Sequence, residues 1–324
     1  MTLAVSARVE RFDAAGAFVI SRGAKTHVDV VTCTIVASDG ARGEGEGTPV
    51  YYRGESAAQC VAAIERWAAA GAHEDRARLQ RELPAGAARN AVDCALWNLA
   101  AARAGVTLAE LAGQPAPAPV QTAMTVSLGA PAAMAQAASA AARDGFVLLK
   151  AKLAGDGQDE ARVSAIRDAA PGARLIVDAN EAFAARDLVA DLRGFAAAGV
   201  EMVEQPLPAG EDRALEGMEP AIPLCADESC QTAADLPRLA TRYQAVNIKL
   251  DKCGGLTAAL ALASAARARG MDLMLGCMLS TSLAIRPALV LAGQARWIDL
   301  DGPLLIARDR PGGLRYDGGT IFPD

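Results

Sequence analysis

The stretch FVLLKAKL (residues 146–153) is a short apolar run that carries two lysines separated by one alanine near its end. Similar short runs recur along the chain, and Ala-rich sequence with helical spacing separates each from the next. They lie at 120–128, 174–179, 199–204, 221–226, 244–250, 271–277 and 296–300. Eight strand candidates separated by helices predict an α/β protein with a (β/α)₈-type barrel, and an open doubly wound sheet is the alternative.

Three acids, Asp178, Glu204 and Asp227, end three consecutive runs. From the second run onward, the polar groups at the run ends recur every 22 to 28 residues, so we expect them around one rim of the barrel. Three carboxylates without a histidine or cysteine ligand select a hard cation, and Mg²⁺ fits best. Each acid by itself is also compatible with a helix cap or a surface charge. Asn180 and Glu228 either orient the metal ligands or cap helices.

Two lysines lie on opposite sides of this ring: Lys152 in the second predicted strand and Lys249 at the sixth. Mg²⁺ and a second ammonium nearby would lower the pKa of such a lysine toward that of a usable base. Two facing bases suit a 1,1-proton transfer through an enediolate, in which one removes an α-proton and the other returns a proton to the opposite face. The alternative is a pair of lysines in salt bridges. Lys150 and Lys152 point to the same side of one strand, which is costly unless function requires it.

Composition excludes several classes of function. Hydrophobic residues make up 52% of the 324 residues, the net charge is −6 and the pI is near 5.2. This charge balance argues against nucleic acid or an anionic membrane surface as the partner. The apolar stretches are shorter than the ~20 residues that span a bilayer, and the N-terminus does not resemble a signal peptide. We therefore expect a cytoplasmic protein.

Histidine and cysteine restrict the chemistry further. The two histidines are His27 and His73, so a Ser-His-Asp triad or a His-rich metal site in the rest of the chain is excluded. The 7 cysteines are an odd number without a CxxC pair, which is typical of reduced thiols. The chemistry must therefore use Lys, Asp, Glu, Cys or backbone groups.

The chain before the Pro-rich connector GQPAPAPVQ (113–121) has a different pattern. Residues 28–37 are β-branched and strand-like, whereas 56–70 and 87–104 are rich in Ala and Leu at helical spacing. This part of the chain is therefore predicted to be a separate α+β module.

The barrel part carries the motifs KAKL, IVDANEAF, VEQPLP, CADESC, NIKLDKCGGLT, GCMLSTS and DLDGP in that order, and the N-terminal part adds FVISRG, GEGTPVYYRGES and LPAGAARNAVDCALWNLAA. Together they resemble the dipeptide epimerases of the enolase superfamily over nearly the whole chain. The resemblance implies a (β/α)₇β modified TIM barrel at 118–302 and an α+β capping domain at 1–117, completed by the tail at about 303–324. It also implies one Mg²⁺ per active site, which stabilises an enediolate.

The resemblance further implies the substrate and the residues that act on it. The substrate would be a dipeptide of the L-Ala-D/L-Glu type, epimerised at its C-terminal residue during recycling of cell-wall peptides. Lys152 and Lys249 match the two acid/base catalysts, and Asp178, Glu204 and Asp227 match the metal ligands.

The remaining matches concern substrate binding. Lys150 matches a lysine that helps to hold the substrate carboxylate, with Thr125 nearby. Asp299 and Asp301 match a pair of acids that receives the free ammonium group of the dipeptide, and strand alternation points both the same way. Arg22, in the capping loop, matches an arginine placed to bind a carboxylate.

Other functions share part of this pattern. N-acylamino acid racemases, o-succinylbenzoate synthases and muconate cycloisomerases have the same Lys/Lys/metal core, but their substrates carry no free ammonium for an acid pair. A noncatalytic ligand-binding barrel is a different alternative, and the filled catalytic positions argue against it. Cys277 is expected to line the site, since no base is evident beside it. The oligomeric state stays open, with a homo-oligomer as one outcome.

Overall fold

The computed structural model describes residues 3–184 and 186–323. The N-terminal part is an antiparallel sheet of three strands in sequence order, with helices packed against it. Its elements are β1 (Leu3–Ile20), β2 (Gly23–Ala37), β3 (Arg42–Gly47), α1 (Ala57–Ala69), α2 (Arg76–Glu82), α3 (Ala87–Ala104) and α4 (Leu108–Leu111).

Helix α3 lies unusually close to strand β3, because the side of β3 that faces the helix carries only glycines. A Cβ atom at Gly43, Gly45 or Gly47 would lie 2.1–2.2 Å from a backbone oxygen of α3. The sequence RGEGEG therefore alternates between residues that allow this contact and residues that face away from it. The result is a rigid sheet-and-helix module whose long β1–β2 hairpin extends toward the barrel.

The second part is a parallel eight-stranded barrel, so the predicted fold class is confirmed. A strand of two residues, β4 (Val120–Gln121), precedes the barrel. The barrel strands are β5 (Met124–Val126), β6 (Leu148–Lys152), β7 (Arg174–Asp178), β8 (Val200–Glu204), β9 (Leu224–Ala226), β10 (Ala245–Ile248), β11 (Asp272–Gly276) and β12 (Trp297–Asp299). The first and last strands are joined by the hydrogen bond from Ala123 N to Ile298 O, at 2.8 Å.

Helices connect most successive barrel strands and cover the outside of the barrel, whereas β8 and β9 are joined through a short 3₁₀ helix at Asp212–Leu215. They are α5 (Pro131–Arg143), α6 (Asp159–Ala169), α7 (Leu188–Ala197), α8 (Leu236–Leu239), α9 (Leu250–Cys253), α10 (Leu256–Arg267) and α11 (Ser282–Ala288). The outward-facing strand residues pack under these helices in one large apolar core. Within the described ranges, no helix is both long and apolar enough to cross a bilayer.

The barrel interior is closed on one side by a layer of apolar side chains. Each of the eight strands contributes one buried residue to this layer, at or next to the strand: Ala123, Leu148, Ile176, Met202, Cys225, Ala245, Met274 and Trp297. Side chains alternate between the two faces of a strand, so the residue two positions further on also points inward. The layer above this apolar plug is therefore the first in which polar side chains can meet.

The C-terminal tail divides between the two parts of the molecule. The backbone of Leu305 and Ala307 bonds to residues of β1, at 2.9 and 2.7 Å. The last strands, β13 (Arg315–Asp317) and β14 (Thr320–Phe322), instead form a small sheet with β4. The sequence reading placed all of 303–324 with the capping domain and all of 118–128 with the barrel. These boundaries stay a prediction; the pairing of β14 with β4 brings the end of the tail next to the segment that precedes the barrel.

Buried acids fix the capping module on the barrel. Asp251, which follows β10, accepts hydrogen bonds at 2.8 Å from the backbone N–H of Thr48 and from the Asn90 amide. Burial raises the pKa of Asp251 to about 7. Glu46 is likewise buried and accepts a hydrogen bond from Thr281 N at 2.8 Å. These contacts hold the cap over the carboxyl ends of the barrel strands.

Candidate active site

The layer above the apolar plug is almost entirely polar. Two residues beyond each plug residue lie Thr125, Lys150, Asp178, Glu204, Asp227, Asn247, Gly276 and Asp299. The residues Lys150, Asp178, Glu204 and Asp227 are at most 1% exposed. Parallel strands and their alternation thus bring together the predicted catalytic and metal-binding residues on one rim.

Lys150 is the centre of this layer. Its Nζ lies 2.6 Å from Glu204 Oε2, 2.7 Å from Asp299 Oδ2 and 3.2 Å from Asp178 Oδ2. Burial lowers the pKa of Lys150, but the three carboxylates outweigh it and hold the pKa well above its ordinary value. This ammonium is therefore a permanent positive charge, suited to holding an anion and unsuited to accepting a proton.

The two predicted acid/base lysines lie on opposite sides of the ring. Lys152 ends β6, and its Nζ is 2.6 Å from Asp178 Oδ2. Lys249 follows β10, four strands away, and its Nζ is 2.8 Å from Asp227 Oδ2. Both side chains are at most 8% exposed. The amines of Lys152 and Lys249 therefore face the same space from opposite sides of the ring.

Carboxylates next to Lys249 act on its pKa. Burial does lower the pKa of Lys249, but Asp227 and Glu204 act in the opposite direction and leave it well above the ordinary value. The prediction assumed a divalent cation among the carboxylates, which would cancel their effect on the lysine. Among the residues that the structure describes, Lys152 pairs with Asp178 and Lys249 with Asp227, as in the salt-bridge alternative.

The donor chemistry of the three acids fits a hard divalent cation. Asp178, Glu204 and Asp227 present only oxygen, and buried Glu204 Oε2 and Asp227 Oδ1 have ion-pair contacts with lysines but no regular hydrogen bond. Burial and the adjacent Asp178 raise the pKa of Glu204 to about 7, as expected for carboxylates crowded without a cation. No three His, Cys, Asp or Glu side chains among residues 3–184 and 186–323 form a ready-made metal cluster, because lysines pair with the carboxylates.

Backbone strain occurs beside these acids. Asn180, Glu181 and Gln205 are non-glycine residues in the left-handed region, with φ of 42°, 69° and 36°. The backbone N–H of Asn180 donates to Asp178 Oδ1 at 2.9 Å. Such conformations concentrate at functional sites, where the surrounding structure holds them in place. Asn180 therefore orients an acid through its backbone.

Sequence reasoning missed Asn247, although a signal was present. Its amide donates a 2.6 Å hydrogen bond to Glu204 Oε1. It lies two residues before Lys249 in β10, so strand alternation already placed it on the inner face. The space for it exists because its neighbour is Gly276, where a Cβ would lie 2.5 Å from Asn247 Oδ1. One oxygen of the central acid is thereby held by Asn247, and the other pairs with Lys150.

Lys252 is the second residue that the sequence reading missed. It is 1% exposed, and its Nζ donates to the backbone oxygens of Asp227, Cys230 and Asn247 at 2.6–2.9 Å. It also contacts Asp227 Oδ1 at 2.6 Å. Asp227 is therefore held by two lysines. The alternation pattern of the strands does not predict this contact of Lys252, because Lys252 lies on the short helix α9 and not on a strand.

The predicted substrate-binding acids, Asp299 and Asp301, lie at and just after the end of β12, the last strand of the barrel. Asp299 pairs with Lys150, and Asp301 Oδ2 accepts a 2.8 Å hydrogen bond from Thr125 N. Burial and the adjacent Asp299 raise the pKa of Asp301 to about 7. Burial also raises the pKa of the Cys277 thiol, which argues against a nucleophilic thiolate. Asp299 and Asp301 are both buried, and Lys150 pairs with Asp299. This position therefore has more negative than positive charge.

Arg22, at the turn of the β1–β2 hairpin, reaches the barrel rim. Its Nη2 lies 2.6 Å from Glu181 Oε2 and 2.5 Å from Glu228 Oε1. Burial raises the pKa of Glu228 to about 7, and Asp227 and Asp178 add to the effect. Ser21 supports the contact by donating to Asn180 O at 3.3 Å. The capping hairpin is thus tied to the ends of two barrel strands.

A nearly closed parallel barrel with lysines and buried carboxylates at its rim, under an α+β cap, is the architecture of the enolase superfamily. Residues 132–319 match the family model described as Enolase C-terminal domain-like. Residues 4–113 match that of the Mandelate racemase / muconate lactonizing enzyme, N-terminal domain. The chain belongs to this family.

Its similarity to individual relatives narrows the class of reaction. The chain is 49% identical over 311 residues to the L-Ala-D/L-Glu epimerase of Escherichia coli (strain K12), with 94% of each chain covered. It is 50% identical over 242 residues to the N-acetyl-D-glutamate racemase of Pseudoalteromonas sp, with 74% of this chain and 75% of the relative covered. The protein is therefore an isomerase that acts on amino-acid derivatives.

Solved structures of similar proteins have the same fold, and two of them contain a metal ion and a dipeptide. An enolase family member from Agrobacterium tumefaciens, with homology to dipeptide epimerases, superposes with a TM-score of 0.94 at 47% identity over 99% of this chain and 98% of that one. It holds sodium and L-Ala-L-Glu. The dipeptide epimerase of Enterococcus faecalis V583, complexed with Mg and L-Leu-L-Tyr, has a TM-score of 0.93 at 28% identity, with 100% and 98% covered. These neighbours support a metal ion and a small-molecule substrate.

Proposed function

We propose that this protein epimerises the C-terminal residue of an L-Ala-D/L-Glu type dipeptide by a two-base 1,1-proton transfer. The observation that carries the proposal is the position of Lys152 and Lys249, on opposite sides of a ring of buried carboxylates. An α-carbon held between them presents its proton to one amine and its opposite face to the other. Such a site inverts configuration without moving the substrate.

Asp178, Glu204 and Asp227 would hold one divalent cation, with Asn247 and Lys252 positioning two of them. The cation supplies the positive charge that stabilises the enediolate form of the substrate. Lys152 and Lys249, released from their pairing with Asp178 and Asp227, would then accept and return the α-proton.

The other charges suit the two ends of the dipeptide. Lys150, fixed in its charged form, would hold the substrate α-carboxylate beside the reacting carbon. The free ammonium group would lie one residue away at Asp299 and Asp301, where negative charge is in excess. Arg22 and its loop would face the glutamate side chain. The nature of this substrate supports a role in the recycling of cell-wall peptides.

The experiment is exchange in D₂O with Mg²⁺, starting separately from L-Ala-L-Glu and L-Ala-D-Glu and followed by proton NMR. Both reactions are expected to converge on one mixture of diastereomers, with one deuterium at the C-terminal α-carbon. N-acetyl-D-glutamate and N-acetyl-L-glutamate form the competing arm, because one relative is named for that substrate. Rapid racemisation of N-acetylglutamate with inert L-Ala-Glu would refute the dipeptide assignment and leave the lysine chemistry standing.

A further inference from the structure

The two acid/base lysines are fixed to the barrel in different ways. Lys152 is part of strand β6, where it pairs with Asp178 in the ladder with β7. Lys249 lies one residue beyond the end of β10. Its backbone oxygen accepts the first hydrogen bonds of α9, from Lys252 N and Cys253 N at 3.0 and 3.2 Å. The sheet therefore determines where Lys152 lies, whereas the position of Lys249 depends on α9.

Helix α9 is bound on one side by α3 of the capping module. The Arg89 guanidinium donates to the backbone oxygens of Cys253 and Gly254. The Asn90 amide donates to Asp251 Oδ1 at 2.8 Å. Arg89 and Asn90 are 7% and 1% exposed, so both contacts lie inside the interface between the cap and the barrel and not at its solvent edge. Two adjacent residues of one helix thus hold the middle and the end of α9.

The turn between α9 and α10 fits closely against α3. Gly254 and Gly255 have φ of 82° and 109°, a region that favours glycine. A Cβ at Gly254 would lie 2.3 Å from Arg89 Nε, and a Cβ at Gly255 would lie 2.5 Å from Asp93. Asp93 in turn accepts a hydrogen bond from Thr257 N at 2.9 Å, at the start of α10. This face has no room for a methyl group, so a displacement of α3 would also displace α9.

We propose that Arg89 and Asn90 are positioning residues for Lys249, so that the capping module sets the geometry of one acid/base lysine but not of the other. Loss of either contact frees α9 on the side that faces the cap, while Lys252 still binds it to the barrel. Lys249 then shifts relative to the substrate α-carbon, and Lys152 keeps its place in β6. This inference rests on the proposed two-base function, but not on which amino-acid derivative is the substrate.

The test measures how the enediolate partitions between the two lysines. A lysine ammonium carries three equivalent hydrogens, so in D₂O it can return a deuteron to the face from which it took the α-proton. A substrate whose α-proton faces Lys152 is therefore recovered with deuterium whenever Lys249 is slow to complete the inversion. The ratio of deuterated recovered substrate to inverted product does not depend on the amount of folded enzyme. A defect in stability alone therefore leaves this ratio unchanged.

Wild type, Asn90→Ala and Arg89→Lys are compared with Mg²⁺ in D₂O at low conversion, starting separately from L-Ala-L-Glu and L-Ala-D-Glu. The diastereomer that still exchanges in Lys249→Ala is the one that faces Lys152. For that diastereomer, the ratio is expected to rise about 3- to 10-fold in Asn90→Ala, the effect of one lost hydrogen bond. Arg89→Lys keeps the charge but loses the forked pair of donors, and its ratio should rise too. The ratio for the other diastereomer should not rise.

Asn98→Ala is the matched control. The amides of Asn90 and Asn98 both donate from α3 to backbone oxygens of β3, those of Glu46 and Glu44. Both alanine variants lose such a bond within the capping module, and Asn90→Ala in addition loses the bond to Asp251 of α9. Asn98→Ala is therefore expected to keep the wild-type ratio for both diastereomers.

Wild-type ratios in both Asn90→Ala and Arg89→Lys would overturn the proposal. An equal rise in Asn98→Ala, a rise for the other diastereomer, or loss of exchange on the face of Lys152 would overturn it as well. Exchange of both diastereomers or of neither in Lys249→Ala would instead refute the two-base function, and with it the basis of this inference. If N-acetylglutamate reacts and the dipeptides do not, its two enantiomers replace them in the same measurement.

Discussion

Replacement of Lys249 by alanine is expected to abolish epimerisation and leave the fold intact. Removing one partner of a buried ion pair costs about 3–5 kcal/mol when the other charge is left unpaired. Here Asp227 would keep the Lys252 ammonium at 2.6 Å from Oδ1, so we expect a smaller cost, about 1–3 kcal/mol. Lys152→Ala is comparable, since Asp178 keeps Lys150 at 3.2 Å.

The expected loss of activity is much larger than this structural cost. A positioned general acid or base contributes about 10²–10⁴-fold, or roughly 3–5 kcal/mol of transition-state stabilisation. Both directions of epimerisation need both amines, because one accepts a proton and the other donates one. Each alanine variant should therefore fall by at least about 10²-fold in kcat in both directions.

The assay separates the two half-reactions. In D₂O, Lys249→Ala is expected to exchange the α-proton of one diastereomer only, and Lys152→Ala that of the other. Lys249→Arg is the control, since it keeps the positive charge but has no basic form near neutral pH. Thermal unfolding of each variant reports on the fold independently.

Two results would refute the two-base reading. One is a single alanine variant that epimerises at close to the wild-type rate. The other is Lys249→Arg with full activity, because a fixed charge would then be all that the position supplies.

Exhaustive chelation is expected to remove activity and Mg²⁺ to restore it, since the ring of acids offers only oxygen ligands; full turnover in EDTA would contradict this. Asp301→Asn should lower kcat/KM for L-Ala-L-Glu about 10-fold more than for N-acetyl-L-glutamate, because only the dipeptide has an ammonium to pair; equal losses would count against that role. Gly276→Ala should push Asn247 away from Glu204 and raise the Mg²⁺ concentration needed for half-maximal activity, with no change refuting the contact. Asp251 has a folded pKa of about 7, above the unfolded value near 3.9, so its contribution to stability falls as pH rises through this range. The Tm of Asp251→Asn relative to wild type should therefore be higher at pH 8 than at pH 5, and calorimetry showing the reverse would disprove this sign.

Much of the barrel rim could be read from the sequence. The acids Asp178, Glu204 and Asp227 end successive strands, and parallel strands carry their carboxyl ends to one edge. The period of two in a strand also placed Lys150 and Lys152 on one face. These inferences hold because each depends only on local geometry repeated along the chain.

The partners of these residues could not be read in the same way. Arg22 matches an arginine placed to bind a carboxylate, but no sequence pattern shows that its guanidinium contacts Glu228, which is 206 residues away in sequence. The pKa of Lys249 likewise depends on the summed charge of groups from several strands, among them Asp227 and Glu204, and not on the lysine alone.

The sequence by itself determined the order of strands, the inward face of each and the kinds of chemical group on the rim, because alternation and the βα repeat are local properties. Only the tertiary structure decided which charges neutralise each other. Lys252 is committed to Asp227, Arg22 to Glu181 and Glu228, and Lys25 is left without an acid in the described residues. Electrostatic pairing falls off within a few ångströms, and a one-dimensional pattern does not encode distances between remote residues.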